Sequence, residues 1–124
     1  MKREQHIKTL FHTGKAFSAF PLKCMWLLRS DITAGPDMSP VRIAFSVPKK
    51  RFARAVDRNR IKRLMRESWR HQKHVLYPLV AEGVQLHLFF IFTGNKGELP
   101  DHPTVYSAVE EIVQHLQRKL HKDA

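Results

Sequence analysis

Apolar and polar residues alternate in two stretches of the chain that are separated by a turn-like segment. In LKCMWLLRS (22–30), alternate positions would share one apolar strand face: Leu22, Cys24, Trp26 and Leu28. In VRIAFSV (41–47), Val41, Ile43, Phe45 and Val47 alternate with Arg42, Ala44 and Ser46. AGPDMSP (34–40) has the Gly, Pro, Asp and Ser of a turn. The pattern predicts a β-hairpin with one core face and one shallow face near Ala44 and Ser46.

Three further segments have the spacing of a helix or the composition of a buried strand. Ile7, Leu10 and Phe11 have helical spacing and are followed by Gly14, which predicts a short amphipathic first helix. LHLFFIF (86–92) is almost entirely apolar, which favours a central strand covered on both faces. Pro103 suits the first turn of a last helix with an inward apolar stripe: Val105, Val109, Ile112, Val113, Leu116 and Leu120.

Residues 54–76, between the second strand and Pro78, predict a longer helix with two different faces. At 100° per residue one side gathers the residues that would dock on the core: Ile61, Leu64, Met65, Ser68, Trp69, Gln72, Val75 and Leu76. The other side gathers Asn59, Lys62, Arg63, Arg66, Arg70 and Lys73. Taken together, the elements predict one domain over residues 1–124 with an α+β fold, a two-layer sandwich in which helices pack on a small mixed sheet.

Charge is concentrated in the middle of the chain. Lys and Arg number 22 and Asp and Glu 11, which gives a net charge of +11. From Arg42 to His74, twelve Lys and Arg residues face only two acidic residues, Asp57 and Glu67. Such a field suits a polyanionic partner, and nucleic acid, an anionic membrane surface and an acidic protein all remain candidates. The alternative is a solvated charged face, but such faces generally mix Glu with Lys, so nucleic-acid binding is favoured.

The same composition narrows the class of protein. Arg outnumbers Lys in the basic helix, and its planar guanidinium can hold a phosphate with two hydrogen bonds or stack on a base, which favours irregular RNA over duplex DNA. No apolar run approaches the roughly 18 residues of a membrane span, and the polar start MKREQHIK lacks the features of a secretory signal peptide. Cys24 is the only cysteine, which fits a reducing compartment. We therefore expect a cytoplasmic protein with no membrane partner.

Two consecutive motifs carry a resemblance to a known family. FSVPKKRFAR followed by AVDRNRIKRLMRESWR resembles the signature of the protein subunit of bacterial ribonuclease P, and the order of the flanking elements extends the resemblance over about residues 5–120. The resemblance implies a fold like the second domain of ribosomal protein S5, with a left-handed βαβ crossover. It also implies the partners, which are a catalytic RNA and the precursor tRNA whose 5′ leader that RNA removes.

The resemblance also implies which residues contact RNA. It places them on the basic helix and the loop before it, at Lys49, Lys50, Arg58, Asn59, Arg60, Lys62, Arg63 and Arg66. Arg51, Arg54 and Arg70 of the same basic segment complete the predicted RNA-binding set. A leader-binding cleft between the first helix and the sheet is predicted at Phe11, Ile7, Ala44 and Ser46, where aromatic side chains can stack on bases. Ile7 stands where some members have an aromatic residue, and Pro48 where a small polar residue is common. On its spacing alone Phe11 would be a core residue.

No catalytic arrangement can be recognised in the sequence. His71 and His74 lie one turn apart without a third metal ligand nearby, and Glu110 and Glu111 are adjacent on a helix and so point in different directions. The family resemblance instead implies that the RNA subunit carries the chemistry with Mg²⁺ bound mainly by RNA, and that the protein is monomeric within the holoenzyme. Two alternatives stay open, namely a structural RNA-binding protein of ribosomal type and an autonomous nuclease.

Overall fold

A computed structural model of the chain describes residues 15–29, 39–80 and 84–122. In chain order its elements are the strands β1 (Lys15–Ala19), β2 (Leu22–Arg29) and β3 (Val41–Ser46), the helix α1 (Ala55–Gln72), two 3₁₀ turns (Lys73–Val75 and Tyr77–Leu79), the strand β4 (Gln85–Phe92) and the helix α2 (His102–Lys122). The strands form one mixed sheet, and the helices pack on one of its faces. The predicted α+β class is therefore confirmed. The predicted first helix lies outside the described residues.

The order of the strands in the sheet is β1-β2-β4-β3, which corrects the predicted hairpin. β2 and β3 do not pair with each other, because β4 lies between them, antiparallel to β2 and parallel to β3. The apolar run of β4 is buried on both faces and therefore takes the central position, as predicted. The hairpin that does form joins β1 to β2 through a tight turn at Phe20 and Pro21, and β1 was not predicted.

The parallel pair of β3 and β4 is connected through α1, so the chain contains the βαβ unit that the family resemblance implied. The left-handed sense of that crossover stays a prediction. None of the helices in the described parts of the chain is long and apolar enough to cross a membrane.

The main core lies between the sheet and the two helices. Along β4, alternate side chains enter it: Leu86, Leu88, Phe90 and Phe92. All six residues of the predicted α2 stripe are buried, and Phe90 contacts Trp69 of α1 edge to face, with ring centroids 5.9 Å apart. The opposite face of the sheet carries a second, smaller apolar cluster, which consists of Met25 and Phe89 with Leu27, Ala44 and Ile91. Alternation along the strands thus builds two apolar faces.

Helix α1 ends earlier than predicted, at Gln72 instead of residue 76. The Gln72 side chain donates to the carbonyl oxygen of Ser68 in its own helix and to that of Tyr106 in α2, at 3.3 Å each. The chain then continues in two short 3₁₀ turns, and the second contains Pro78, which has no backbone N–H for a helical hydrogen bond. The end of α1 is therefore tied to α2.

The start of α2 is capped by a side chain. The Asp101 carboxylate accepts a hydrogen bond from the backbone N–H of Thr104 at 2.9 Å, which satisfies one of the amides left unpaired at a helix N-terminus. Hydrogen bonds from the Thr104 hydroxyl and backbone lower the pKa of the Asp101 carboxyl below its ordinary value. Pro103 lies in the first turn, as predicted.

The loop between β4 and α2 contains a glycine that a larger residue would disrupt. A Cβ atom at Gly94 would clash with the buried ring of Phe92. We predict that Gly94→Ala lowers the free energy of unfolding by about 1–3 kcal/mol, because the ring must leave its packed position. Chemical denaturation would measure the loss.

A second substitution provides the control for this clash. Phe92→Leu makes room for the new methyl group, so Gly94→Ala should cost less in a Phe92→Leu background than in the native chain. Gly97→Ala should cost the same in both backgrounds, because Gly97 has a φ of +75° and no atom near its Cβ position. Equal costs for Gly94→Ala in the two backgrounds would contradict the prediction.

Candidate nucleic-acid interface

One face of α1 displays a row of polar and cationic side chains to solvent. Its exposed members are Asn59, Arg60, Arg63, Arg66 and Arg70, and Lys62 is half-buried beside them. The opposite face of the helix buries Ile61, Met65 and Trp69 in the core. The predicted assignment of residues to the two faces is confirmed as far as Gln72, and Lys73, Val75 and Leu76 lie beyond the end of the helix. Folding therefore fixes the orientation of this cationic row.

Acidic residues near this row are too few to neutralise it. Between residues 39 and 80 the sequence contains only Asp57 and Glu67, and both are half-buried on α1. Like charges in adjacent turns of a helix cost a few tenths of a kcal/mol per pair, and the buried stripe of α1 offsets that cost. The surface therefore retains a strong positive field that attracts a polyanion.

Arg66 is oriented by an aromatic side chain of the sheet. Its guanidinium lies 5.8 Å from the centre of the Phe45 ring, a distance at which a cation is attracted to the ring face. Phe45 in turn contacts Phe90 edge to face, with ring centroids 5.8 Å apart. Because Arg66 is still exposed, this contact limits the positions of its guanidinium without removing it from solvent.

The loop before α1 adds further cations. Lys49, Lys50 and Arg54 are exposed, whereas Val47 directly before the loop and Phe52 within it are buried and anchor it to the core. The Pro48 carbonyl oxygen accepts the backbone N–H of residue 51 at 3.1 Å and that of Phe52 at 3.4 Å, which forms a turn directly after β3. The unusual proline thus lies where the strand has ended, and the loop, which we define as residues 48–54, continues the cationic surface of α1.

Two of the predicted RNA-binding arginines direct hydrogen bonds into the protein. Arg58 Nη1 donates to the carbonyl oxygens of Phe52 at 2.9 Å and of Ala53 at 2.7 Å. Arg51 Nη1 donates to the carbonyl oxygen of Gly94 at 2.7 Å. Both arginines are half-buried, unlike their exposed neighbours. The periodicity and charge of the sequence could not predict these hydrogen bonds, because the acceptors are backbone carbonyl oxygens of loops.

The predicted leader-binding residues lie only in part within the described residues. Ile7 and Phe11 fall outside them. Ala44 and Ser46 are half-buried on β3, and Ala44 belongs to the small apolar cluster on the sheet face opposite the helices. The structure therefore places these two residues on a different surface from the cationic row of α1.

Sequence reasoning overlooked the rest of that second face. Met25, Leu27, Phe89 and Ile91 extend it into β2 and β4, and exposed Arg42 precedes Ala44 by two positions on β3, so it shares the face. The same alternation that predicted the core contained the signal, since residues between core positions must point the other way. We define the opposite sheet face as these residues together with Ala44 and Ser46.

Comparison with known proteins identifies the family. A model of the Ribonuclease P family matches residues 1–117. The chain belongs to this family. A ribonuclease P protein component from Porphyromonas gingivalis is 42% identical over 105 residues, which cover 85% of this chain and 73% of that protein. A ribonuclease P protein component from Chlorobium phaeobacteroides is 29% identical over 124 residues, which cover 94% of this chain and 84% of that protein.

Solved structures of ribonuclease P proteins share the fold. The protein from Thermotoga maritima superposes with a TM-score of 0.67 at 19% identity, over 93% of this chain and 94% of that one. The protein from Staphylococcus aureus superposes with a TM-score of 0.66 at 17% identity, over 93% of this chain and 92% of that one. The relatives in both comparisons are ribonuclease P proteins, which supports a role in tRNA processing within a ribonucleoprotein and does not favour the ribosomal alternative.

Proposed function

We propose that the chain binds the catalytic RNA of ribonuclease P through the cationic surface of α1 and residues 48–54, and the 5′ leader of precursor tRNA through the opposite sheet face. The observation that carries the first half is the exposed row of Arg60, Arg63, Arg66 and Arg70 on a helix whose other face is buried. Arg donates charge-assisted hydrogen bonds that suit phosphate oxygens. The second half is supported by half-buried Leu27, Ala44, Ser46 and Ile91 around the buried Met25 and Phe89, with exposed Arg42 at the edge of the same face.

The two surfaces lie apart on the protein, which suits the binding of a different RNA at each. Phosphates of a folded RNA would neutralise the cations of α1. The sheet face offers half-buried apolar side chains for bases, and exposed Arg42 is one of its cations for a leader phosphate. One protein molecule could then contact both RNAs at once. In this proposal the protein acts as a monomer within a cytoplasmic complex.

We assign the hydrolytic chemistry to the RNA subunit. Within the described residues no group of three or more His, Cys, Asp or Glu side chains comes together as potential metal ligands. Apart from Asn59, the side chains of the cationic surface are Arg and Lys, which offer no oxygen ligand for Mg²⁺ and repel the ion, so this surface does not fit a site for it. In this proposal Mg²⁺ is bound mainly by RNA phosphates. The contribution of the protein is to bind and orient the two RNAs.

Reconstitution at low Mg²⁺ tests the proposal. The protein is mixed with the ribonuclease P RNA of Porphyromonas gingivalis and with a precursor tRNA, and release of the 5′ leader is followed. We expect cleavage with protein and RNA together, and none with the protein alone. Cleavage by protein free of RNA would instead indicate an autonomous nuclease. RNA binding without any stimulation of leader removal would indicate a structural RNA-binding protein.

The salt dependence of RNA binding provides a second prediction. If five or six phosphates are neutralised, a coefficient of about 0.7 per phosphate gives a slope near −4 for log affinity against log salt concentration. Filter binding between about 50 and 200 mM salt would measure the slope. A flat response would show that the cationic surface is not the interface.

A further inference from the structure

The hydrogen bonds of Arg51 and Arg58 suggest a role that differs from that of the exposed arginines. Both side chains belong to the most basic part of the chain, where charge alone would assign them to RNA. Their Nη1 atoms nevertheless lie 2.7–2.9 Å from backbone carbonyl oxygens of the protein. Each guanidinium therefore already has a specific partner in the folded chain.

These contacts converge on residues 48–54. Arg58 reaches back from the first turns of α1 and joins two successive carbonyl oxygens of the loop, those of Phe52 and Ala53. The N-cap residue of α1, Arg54, makes no side-chain capping hydrogen bond, and the Arg58 bridge ties the loop to the helix start. Loss of this bridge would loosen the attachment of residues 48–54 to α1, while the buried Phe52 still anchors the loop to the core.

Arg51 fixes the same loop from its other side. Its side chain donates to the Gly94 carbonyl oxygen, and the Gly97 backbone N–H donates to the Arg51 carbonyl oxygen at 3.0 Å. The neighbouring Phe52 packs on Phe92, with ring centroids 5.7 Å apart. Residues 48–54 are thus held between α1 and the loop that follows β4, while Lys49 and Lys50 remain exposed.

We propose that Arg51 and Arg58 are positioning residues, which hold residues 48–54 in the conformation that presents Lys49, Lys50 and Arg54 to RNA, and that they do not supply phosphate contacts of their own. Binding by a pre-ordered loop costs less conformational entropy than binding by a mobile one. This inference rests on the proposed RNA-binding function and deepens it, because it divides the cations of one surface into those that touch RNA and those that act through the loop.

Double-mutant cycles test the division. Affinity for the Porphyromonas gingivalis ribonuclease P RNA is measured for Arg58→Ala, Lys50→Ala, Arg70→Ala and the two double variants that contain Arg58→Ala. We expect Lys50→Ala to weaken binding about fivefold in the native chain and less than about twofold in the Arg58→Ala background, because the loop contact is already lost there. Arg70→Ala should cost the same factor in both backgrounds.

Two further measurements separate positioning from a direct contact. Arg58→Lys keeps the charge but has a shorter side chain that does not reach both loop carbonyl oxygens, so it should lose nearly as much affinity as Arg58→Ala. Arg63→Lys should lose less than Arg63→Ala, because an exposed ammonium can still bind a phosphate as a point charge. Without RNA, trypsin should cleave after Lys49 and Lys50 faster in Arg58→Ala than in the native chain.

Two other variants support these measurements. Arg58→Met, which keeps the aliphatic part of the side chain, replaces Arg58→Ala if that variant melts below the assay temperature. Arg51→Ala gives an independent double-mutant cycle with Lys50→Ala.

The outcomes are distinct. The inference is overturned if Lys50→Ala weakens RNA binding by the same factor in both backgrounds, if Arg58→Lys binds with full affinity and if trypsin cleavage is unchanged. Arg58 would then be a direct phosphate contact, and the proposed function would remain intact. Failure of the native chain to bind the RNA would overturn both.

Discussion

Replacing Arg63 and Arg66 together by Glu should weaken binding of the ribonuclease P RNA by about a thousandfold, or ~4 kcal/mol. Each substitution removes a charge-assisted contact and places a carboxylate against RNA phosphates. Folding should be almost unaffected, because both side chains are exposed on α1 and Arg66 loses only its contact with the Phe45 ring. Filter binding would measure the affinity and thermal melting would measure the stability.

The matched control changes the charge by the same amount on another helix. Arg118 and Lys119 are adjacent and exposed on α2. Replacing both by Glu should lower RNA affinity by less than about tenfold, since distant charges act only through a field that salt screens. Equal losses for the two double variants would mean that net charge, not the surface of α1, determines binding.

The helices could be predicted from the sequence because their signals are local. The spacing of Ile61, Met65 and Trp69 fixes which side of α1 faces the core, and the cations between them must then face solvent. The same reasoning placed the apolar stripe of α2 correctly. For this reason the exposed row on α1, which is the main part of the candidate interface, follows from the sequence without the structure.

The pairing of the strands could not be predicted in the same way. The turn signal at residues 34–40 favoured a hairpin between β2 and β3, but the apolar β4 pairs with both and separates them. Strand neighbours are set by which faces must be buried in the whole sheet, and that depends on residues distant in sequence. The five residues of β1 were too short a segment to show a pattern.

In the candidate interface too, local sequence signals predict some features, and contacts between distant segments determine others. Composition and the family motif placed Arg58 and Arg63 in one class, since both lie in the same basic run. The structure separates them by their partners, because Arg58 meets two carbonyl oxygens of a preceding loop and Arg63 is exposed. A side chain that hydrogen-bonds to the backbone of a loop can be identified only when the path of that loop is known.

Phe90→Ala should cause a larger loss of stability than Gly94→Ala. Phe90 is fully buried on the central strand and contacts both Trp69 of α1 and Phe45 of β3. Removing its ring should lower the free energy of unfolding by about 3–5 kcal/mol, because the lost apolar burial adds to the cost of a cavity between sheet and helix. Chemical denaturation of the free protein would measure this loss.

The same substitution at Phe20 is the control, because this side chain is 69% exposed in the turn between β1 and β2. Phe20→Ala should change the free energy of unfolding by less than about 0.5 kcal/mol, as is usual for surface positions. Since Phe45 orients Arg66 and rests against Phe90, the Phe90→Ala variant should also bind RNA less tightly at temperatures where it remains folded. Comparable stability losses for Phe90→Ala and Phe20→Ala would contradict the central position of β4. A Phe90→Ala variant that is destabilised but keeps native RNA affinity would show that the position of Arg66 does not depend on the packing of Phe90.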